Sequence, residues 1–271
     1  MKQRLADYVA DFLAAHGVTD VFSVVGGGAM HLNDALGHHP ALHVTYNHHE
    51  QASAIAAEAY ARIDNKIAAL CVTPGPGGTN ALTGVVGGWL DSIPMLILSG
   101  QVRYDTTARW SGVGIRAMGD QEFDIVKSID CMTKYSEMVI DPLRIRYCLE
   151  KALYLATSGR PGPTWLDIPL DVQGAYVDTE QLAGFDAADY EAGGTGWALH
   201  TVGMDHTSGA AVFAGATEEK EKKAVLAGVH GTEGTSEVEP PHAIPEDYAG
   251  KGEHRQVLPA PVSRETARAI I

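Results

Sequence analysis

Apolar positions recur with helical and strand periods from Leu5 to about Asp171. Leu5, Tyr8, Val9, Phe12 and Leu13 fall at i, i+3, i+4, i+7 and i+8, one face of a helix. Gly17 follows, a residue able to take positive φ at a helix end. Val21–Val25 reads as a short buried strand, Gly26-Gly27-Gly28 as the tight turn after it, and Ala29–Leu36 as a short helix. Leu42–Tyr46 is a second strand. Gln51–Arg62 is alanine-rich and helical, with Glu50 at its start. Ala68–Val72 is a third strand, and Thr73-Pro74-Gly75-Pro76-Gly77-Gly78-Thr79-Asn80 leads into a helix running to about Leu90. Pro94–Leu98 is a fourth strand. Further on, Gln121–Ser128 reads as a short helix and Tyr135–Ile140 as a strand. A helix runs from Pro142 to about Thr157, and Trp165–Ile168 is a further strand. Strands alternating with helices predict an α/β fold, a doubly wound, mostly parallel sheet flanked by helices. The strands are near-continuous apolar runs, as befits strands covered on both faces.

From about Gly184 the periodicity stops. Glycines crowd at 193, 194 and 196, Thr217–Lys223 is a charge run, and Pro240, Pro241 and Pro245 punctuate the remainder. Only Lys222–Leu226 and Arg264–Ile271 hint at helix. Residues 1–180 are therefore expected to form one domain and residues 181–271 an irregular tail, disordered or out of frame.

Composition narrows the function classes. The chain has 271 residues, 45% of them hydrophobic, enough to build a core. Length alone suggests about 1.8 domains, so the pattern trims that to one domain and a remainder. The formal net charge of −14 argues against phosphate neutralisation on nucleic acid and against an anionic membrane surface. Cys71, Cys131 and Cys148 are far apart and form no CxxC pair, so reduced thiols are expected rather than a disulfide framework. No secretory leader or membrane-length apolar run is visible, and a cytoplasmic, soluble protein is expected.

In a doubly wound sheet ligands sit at the carboxyl ends of the strands. Three polar or glycine-rich segments fall there: Val25–Gly28, Asn47–Gln51 and Thr73–Asn80. The third has the form of a phosphate cradle at a helix N-terminus. It lacks the Lys-Ser/Thr of a P-loop, and its glycines equally serve close helix–strand packing. Glu50 is open to two readings. It is a helix N-terminal charge, or it is a general acid/base at a strand-to-helix junction. The histidines at 38, 39, 43, 48 and 49 show no metal-ligand spacing, and no metal site is expected.

Taken together, several stretches resemble the N-terminal pyrimidine-binding (PYR) domain of thiamine diphosphate-dependent enzymes of the acetolactate synthase-like family. They are Val21–Gly27, His49-Glu50-Gln51 with Ala57–Arg62, Val72–Asn80, Asp91–Met95, Ser99–Val102 and Gly159–Pro163. The resemblance runs from about residue 1 to 178. It implies that Glu50 is catalytic, hydrogen-bonding N1′ of the cofactor's aminopyrimidine and favouring the imino form that takes the thiazolium C2 proton. It also implies that Val25, Gly26, Thr73, Pro76 and Asn80 line the aminopyrimidine pocket and the partner interface. In such enzymes the diphosphate and its Mg²⁺ belong to a separate domain with a GDG motif. No Gly-Asp-Gly occurs here, and the central domain that holds FAD in some relatives has no counterpart, so no FAD site is expected in this chain.

The expected partner is accordingly a diphosphate-binding subunit or a second copy of the chain, and the expected substrate a small 2-keto acid. The family's Ala-Phe-Gln-Glu stretch reads Gly119-Asp120-Gln121-Glu122 here. Gln121 is thus the substrate-proximal candidate, while Asp120 replaces an apolar side chain. Three readings stay open: a split enzyme subunit, a truncated or frameshifted product, and a non-catalytic interaction protein that keeps the fold.

Overall fold

The structure, a computed structural model, describes residues 1–64 and 66–198. The strands are β1 (Lys2–Arg4), β2 (Asp20–Ser23), β3 (His43–Tyr46), β4 (Ala68–Val72), β5 (Met95–Gln101), β6 (Tyr135–Met138), β7 (Pro163–Pro169), β8 (Tyr176–Asp178), β9 (Gly184–Phe185) and β10 (Trp197–Ala198). The helices are α1 (Leu5–Ala15), α2 (Met30–His38), α3 (Glu50–Asp64), α4 (Pro76–Asp91), α5 (Ala108–Ser111), α6 (Ile125–Ile129), α7 (Ile145–Thr157), α8 (Leu170–Gly174) and α9 (Ala187–Glu191).

Six strands form one sheet in the order β3-β2-β4-β5-β7-β6, and every neighbouring pair in it is parallel. The doubly wound fold expected from the alternation is present. Residues of each central strand point alternately to the two faces, so the sheet has two cores. Ala69, Cys71, Leu96, Leu98, Leu166 and Ile168 pack under α1, α2 and α7. Ala68, Leu70, Val72, Met95, Ile97 and Trp165 pack under α3, α4 and α6. Both cores are mostly apolar, which is why the strands read as near-continuous hydrophobic runs.

Helix α1 ends where the sequence indicates. His16 is its last capping residue and Gly17 takes φ +77°. On the opposite face α3 and α4 lie very close. A Cβ on Gly84 would fall 2.7 Å from the Ala54 carbonyl carbon and from the Ile55 nitrogen. Glycine at 84 is what permits that backbone approach.

Two features depart from the pattern reading. The helix expected over Gln121–Ser128 starts only at Ile125. Gln121 sits in the left-handed region at φ +56°. The Glu122 carboxylate accepts hydrogen bonds from the backbone N–H groups of Ala108, Met118 and Gly119 at 2.7, 2.7 and 3.1 Å. Those bonds hold residues 119–123 as a turn and delay the helix.

Packed structure also continues past the boundary expected at residue 180. Strands β9 and β10 pair antiparallel, and α9 is capped by Asp186. Phe185 lies among the rings of Tyr147, Tyr154 and Tyr190. Tyr147 Oη donates to the Thr195 carbonyl at 2.7 Å. Aromatic contacts scattered without period are invisible to a periodicity test. The expected helical stretches at 222–226 and 264–271, with the rest of the expected tail from 199 onward, lie outside the described residues.

Candidate functional site

The chain leaves β2 through α2, which packs on one face of the sheet, and leaves β4 through α4, which packs on the other. The loops after β2 and β4 therefore leave toward opposite faces of the sheet, and the carboxyl edge where they part is where folds of this kind form their ligand crevice. Every glycine-rich segment singled out in the sequence reaches this edge. A Cβ on Gly26 would lie 2.4 Å from Thr73 Cβ, and one on Gly28 would lie 2.3 Å from Pro74 Cδ. The two loops thus meet backbone to side chain. From the next strand Gly100 presses on the first loop, its missing Cβ only 2.0 Å from the Gly28 carbonyl oxygen. Gln173 Nε2 donates to that same oxygen at 2.8 Å and to the Ile168 carbonyl at 2.7 Å. The Gly26–Gly28 turn is therefore pinned from two sides.

Glu50 is the first residue of α3 and is half-buried. Its position puts a carboxylate at the positive end of a helix dipole. Oε2 accepts from Asn80 Nδ2 at 3.1 Å. Oε1 faces Gly77, where a Cβ would stand 3.6 Å away. Among the described residues Oε1 accepts no hydrogen bond. One carboxylate oxygen is thus oriented by the protein, and the other is available to a ligand donor.

Helix α4 starts with Pro76 at its first position, after Gly75 at φ +58°. Gly75 is required twice. Its φ is positive, and a Cβ there would lie 2.1 Å from the Gln121 carbonyl oxygen. The loop from Val102 to Asp124 therefore folds back so that Gln121 sits on the start of α4.

The crevice thus brings together Gly26, Thr73, Glu50 and Asn80, with Pro76 exposed at the head of α4 and Gln121 reaching Gly75. Val25 follows β2 at the same edge but is 66% exposed. Three of the histidines serve elsewhere, while His49, next to Glu50, accepts at Nδ1 from the Gln51 backbone N–H at 3.2 Å. His38, His39 and His43 lie against Asp34, Asp11 and Asp20 respectively.

Sequence reasoning assigned no role to the polar group buried behind the loop. Asp167 on β7 is fully buried. Ser99 Oγ donates to its Oδ1 at 2.6 Å, and Gln101 Nε2 donates to its Oδ2 at 3.1 Å. Trp165 Nε1 donates to Ser99 Oγ at 2.8 Å. Burial raises the Asp167 carboxyl to about 7, against the lowering effect of the Ser99 and Gln101 hydrogen bonds. The signal was present as an acidic residue inside the otherwise apolar run Thr164–Ile168.

Comparison with known proteins agrees with this geometry. Residues 3–128 match the family described as thiamine pyrophosphate enzyme, N-terminal TPP binding domain. Acetolactate synthase 1, chloroplastic, of Oryza sativa subsp. japonica is 37% identical over 168 residues, which is 62% of this chain and 25% of that protein. Acetolactate synthase 2, chloroplastic, of Zea mays shows the same identity and coverage. Acetolactate synthase, chloroplastic, of Arabidopsis thaliana is 37% identical over 62% of this chain and 24% of its own length. The chain spans about a quarter of the length of these relatives. Fold, site and sequence match converge: residues 3–128 match the N-terminal TPP binding domain of thiamine pyrophosphate enzymes, and the N-terminal part of the chain is similar to acetolactate synthases.

Proposed function

We propose that the crevice is the aminopyrimidine half of a thiamine diphosphate site, with Glu50 as its catalytic carboxylate. The observation that carries this reading is the pair of unlike oxygens on Glu50, one held by Asn80 and one without a protein donor. A ring nitrogen that shares a proton matches the second oxygen. When bound, thiamine diphosphate supplies a carbon nucleophile for breaking or making a C–C bond at a 2-keto acid. Glu50 Oε1 holds the proton at N1′, Asn80 keeps the carboxylate oriented, and Gly26, Thr73 and Pro76 form the walls. Gln121 stands on the substrate side. Gly26 and Gly77 let the walls close on Thr73, because a Cβ at either position would meet that side chain at 2.4 or 2.7 Å.

The diphosphate and Mg²⁺ would be held by a domain outside residues 1–198, supplied by a partner subunit or by a longer form of this chain. Exposed Val25, Met30, Tyr46 and Ile55 support a covered face near the crevice. A cytoplasmic location goes with this reading.

Calorimetry of the full chain with thiamine diphosphate and Mg²⁺ tests it. Heat is expected only when a subunit carrying the diphosphate domain is added. Glu50→Gln is expected to bind in that assembly but to lose exchange of the cofactor C2 proton. Full C2 exchange in Glu50→Gln refutes the assignment, and micromolar binding by the chain alone refutes the need for an outside diphosphate domain.

A further inference from the structure

The loop that brings Gln121 to the crevice is tied to the sheet interior by one side chain. Gln101, at the end of β5, is 1% exposed and uses all of its carboxamide. Its Oε1 accepts from its neighbour's backbone, Val102 N–H, at 3.0 Å. Its Nε2 donates both to Asp167 Oδ2 at 3.1 Å and to the Phe123 carbonyl at 2.9 Å. Phe123 lies two residues from Gln121, whose own carbonyl rests on Gly75. The carboxamide therefore spans from a buried carboxylate to the loop backbone.

Gln101 has two donor hydrogens, and a free carboxamide rotates. Asp167 removes that freedom, because Ser99 and Trp165 fix its own orientation in turn. On the loop side the charged groups facing this point are Asp124 and Arg109, which pair with each other at 2.8 Å, and Lys127, which pairs with Asp124 at 2.8 Å. They neutralise one another in part, so the buried carboxylate finds its partners among neutral donors. A buried carboxylate is a costly way to fill a core. An apolar side chain would pack there without that cost, but it would offer Gln101 no acceptor.

We propose that Asp167 and Gln101 are positioning residues. The Asp167 carboxylate orients the Gln101 carboxamide, which holds the Phe123 carbonyl and so seats Gln121 at the mouth of the crevice. The purpose of this strut rests on the proposed cofactor site. Its existence does not, and it is read without cofactor.

The test is hydrogen exchange of the full chain, comparing the loop amides of Met118, Gly119 and Glu122 with the core amides of β4 and β5. Gln101→Met keeps the volume and removes the donor; loop protection is expected to fall about tenfold, the effect of one well-placed hydrogen bond. Asp167→Leu removes the acceptor. It is expected to lower loop protection by a similar factor while core protection holds or rises, because the buried charge is gone. Asp167→Asn, which keeps an acceptor, is expected to restore the loop. A residue with only a packing role would move loop and core together. Wild-type loop protection in both Gln101→Met and Asp167→Leu overturns the proposal. Should Asp167→Leu fail to fold, Gln101→Met alone decides. Loss of C2 exchange in Glu50→Gln tests the cofactor reading separately, so either can fail without the other.

Discussion

Replacing Asp167 by Asn should make the protein's stability less dependent on pH, and by a definite amount. The carboxyl is fully buried and its pKa is raised from an ordinary 3.8 to about 7, chiefly by desolvation. In the unfolded chain it ionises near its ordinary value. A carboxyl raised in the folded state contributes stability that is fully present below the unfolded value, and that contribution is lost as pH climbs through the folded one. At about 1.4 kcal/mol per pH unit, the gap corresponds to about 4 kcal/mol lost between pH 4 and pH 8. About 2.5 kcal/mol of this falls between pH 5 and pH 8.

Asparagine has no such ionisation. The difference in unfolding free energy, variant minus wild type, should therefore rise by about 2.5 kcal/mol from pH 5 to pH 8. Other carboxylates are common to both proteins and cancel in the difference. Urea unfolding followed by tryptophan fluorescence at several pH values measures it, and Trp165 reports from inside the same network. Parallel stability curves for the two proteins would refute the reasoning, since they would mean that Asp167 titrates alike in the folded and unfolded chains.

Three further outcomes follow from the geometry. Gly84→Ala should cost about 2 kcal/mol, because its Cβ would overlap the backbone at Ala54 and Ile55 and force α3 from α4; thermal unfolding measures this, and a neutral result would mean the helices part freely. Gly100→Ala should cost about 3 kcal/mol, since its Cβ would meet the Gly28 carbonyl, a rigid backbone atom, and exchange at the Gly26–Gly28 turn should rise with it. Phe185→Ala should leave the six-stranded sheet folded but make residues 184–198 cleavable by a protease, because it removes the ring that packs on Tyr147, Tyr154 and Tyr190.

Local chemistry made most of the fold legible. A strand between two helical layers must be apolar on both faces, so Ala68–Val72 could be placed to the residue from its composition alone. Gly17 marked a helix end and Pro142 the turn that opens α7, because each serves a backbone requirement that depends only on its neighbours, while α4 starts at Pro76, earlier than the loop reading of Thr73–Asn80 had it. Glu50 stayed open between a helix N-terminal charge and a general acid/base, and Asn80 was nominated only by the family resemblance.

What the pattern missed depends on contacts between residues distant in the chain. The Gln121 turn is held by Glu122 reaching back to Ala108 and by the close approach of Gly75, and neither leaves a periodic trace. Asp167 lies more than sixty residues from Ser99 and Gln101, yet the three share one buried network. The hydrophobic period records which face of an element is buried. Which polar group meets which donor inside is decided only when the strands align in register, and that alignment set Asp167 beside Ser99 and Gln101 behind the loop.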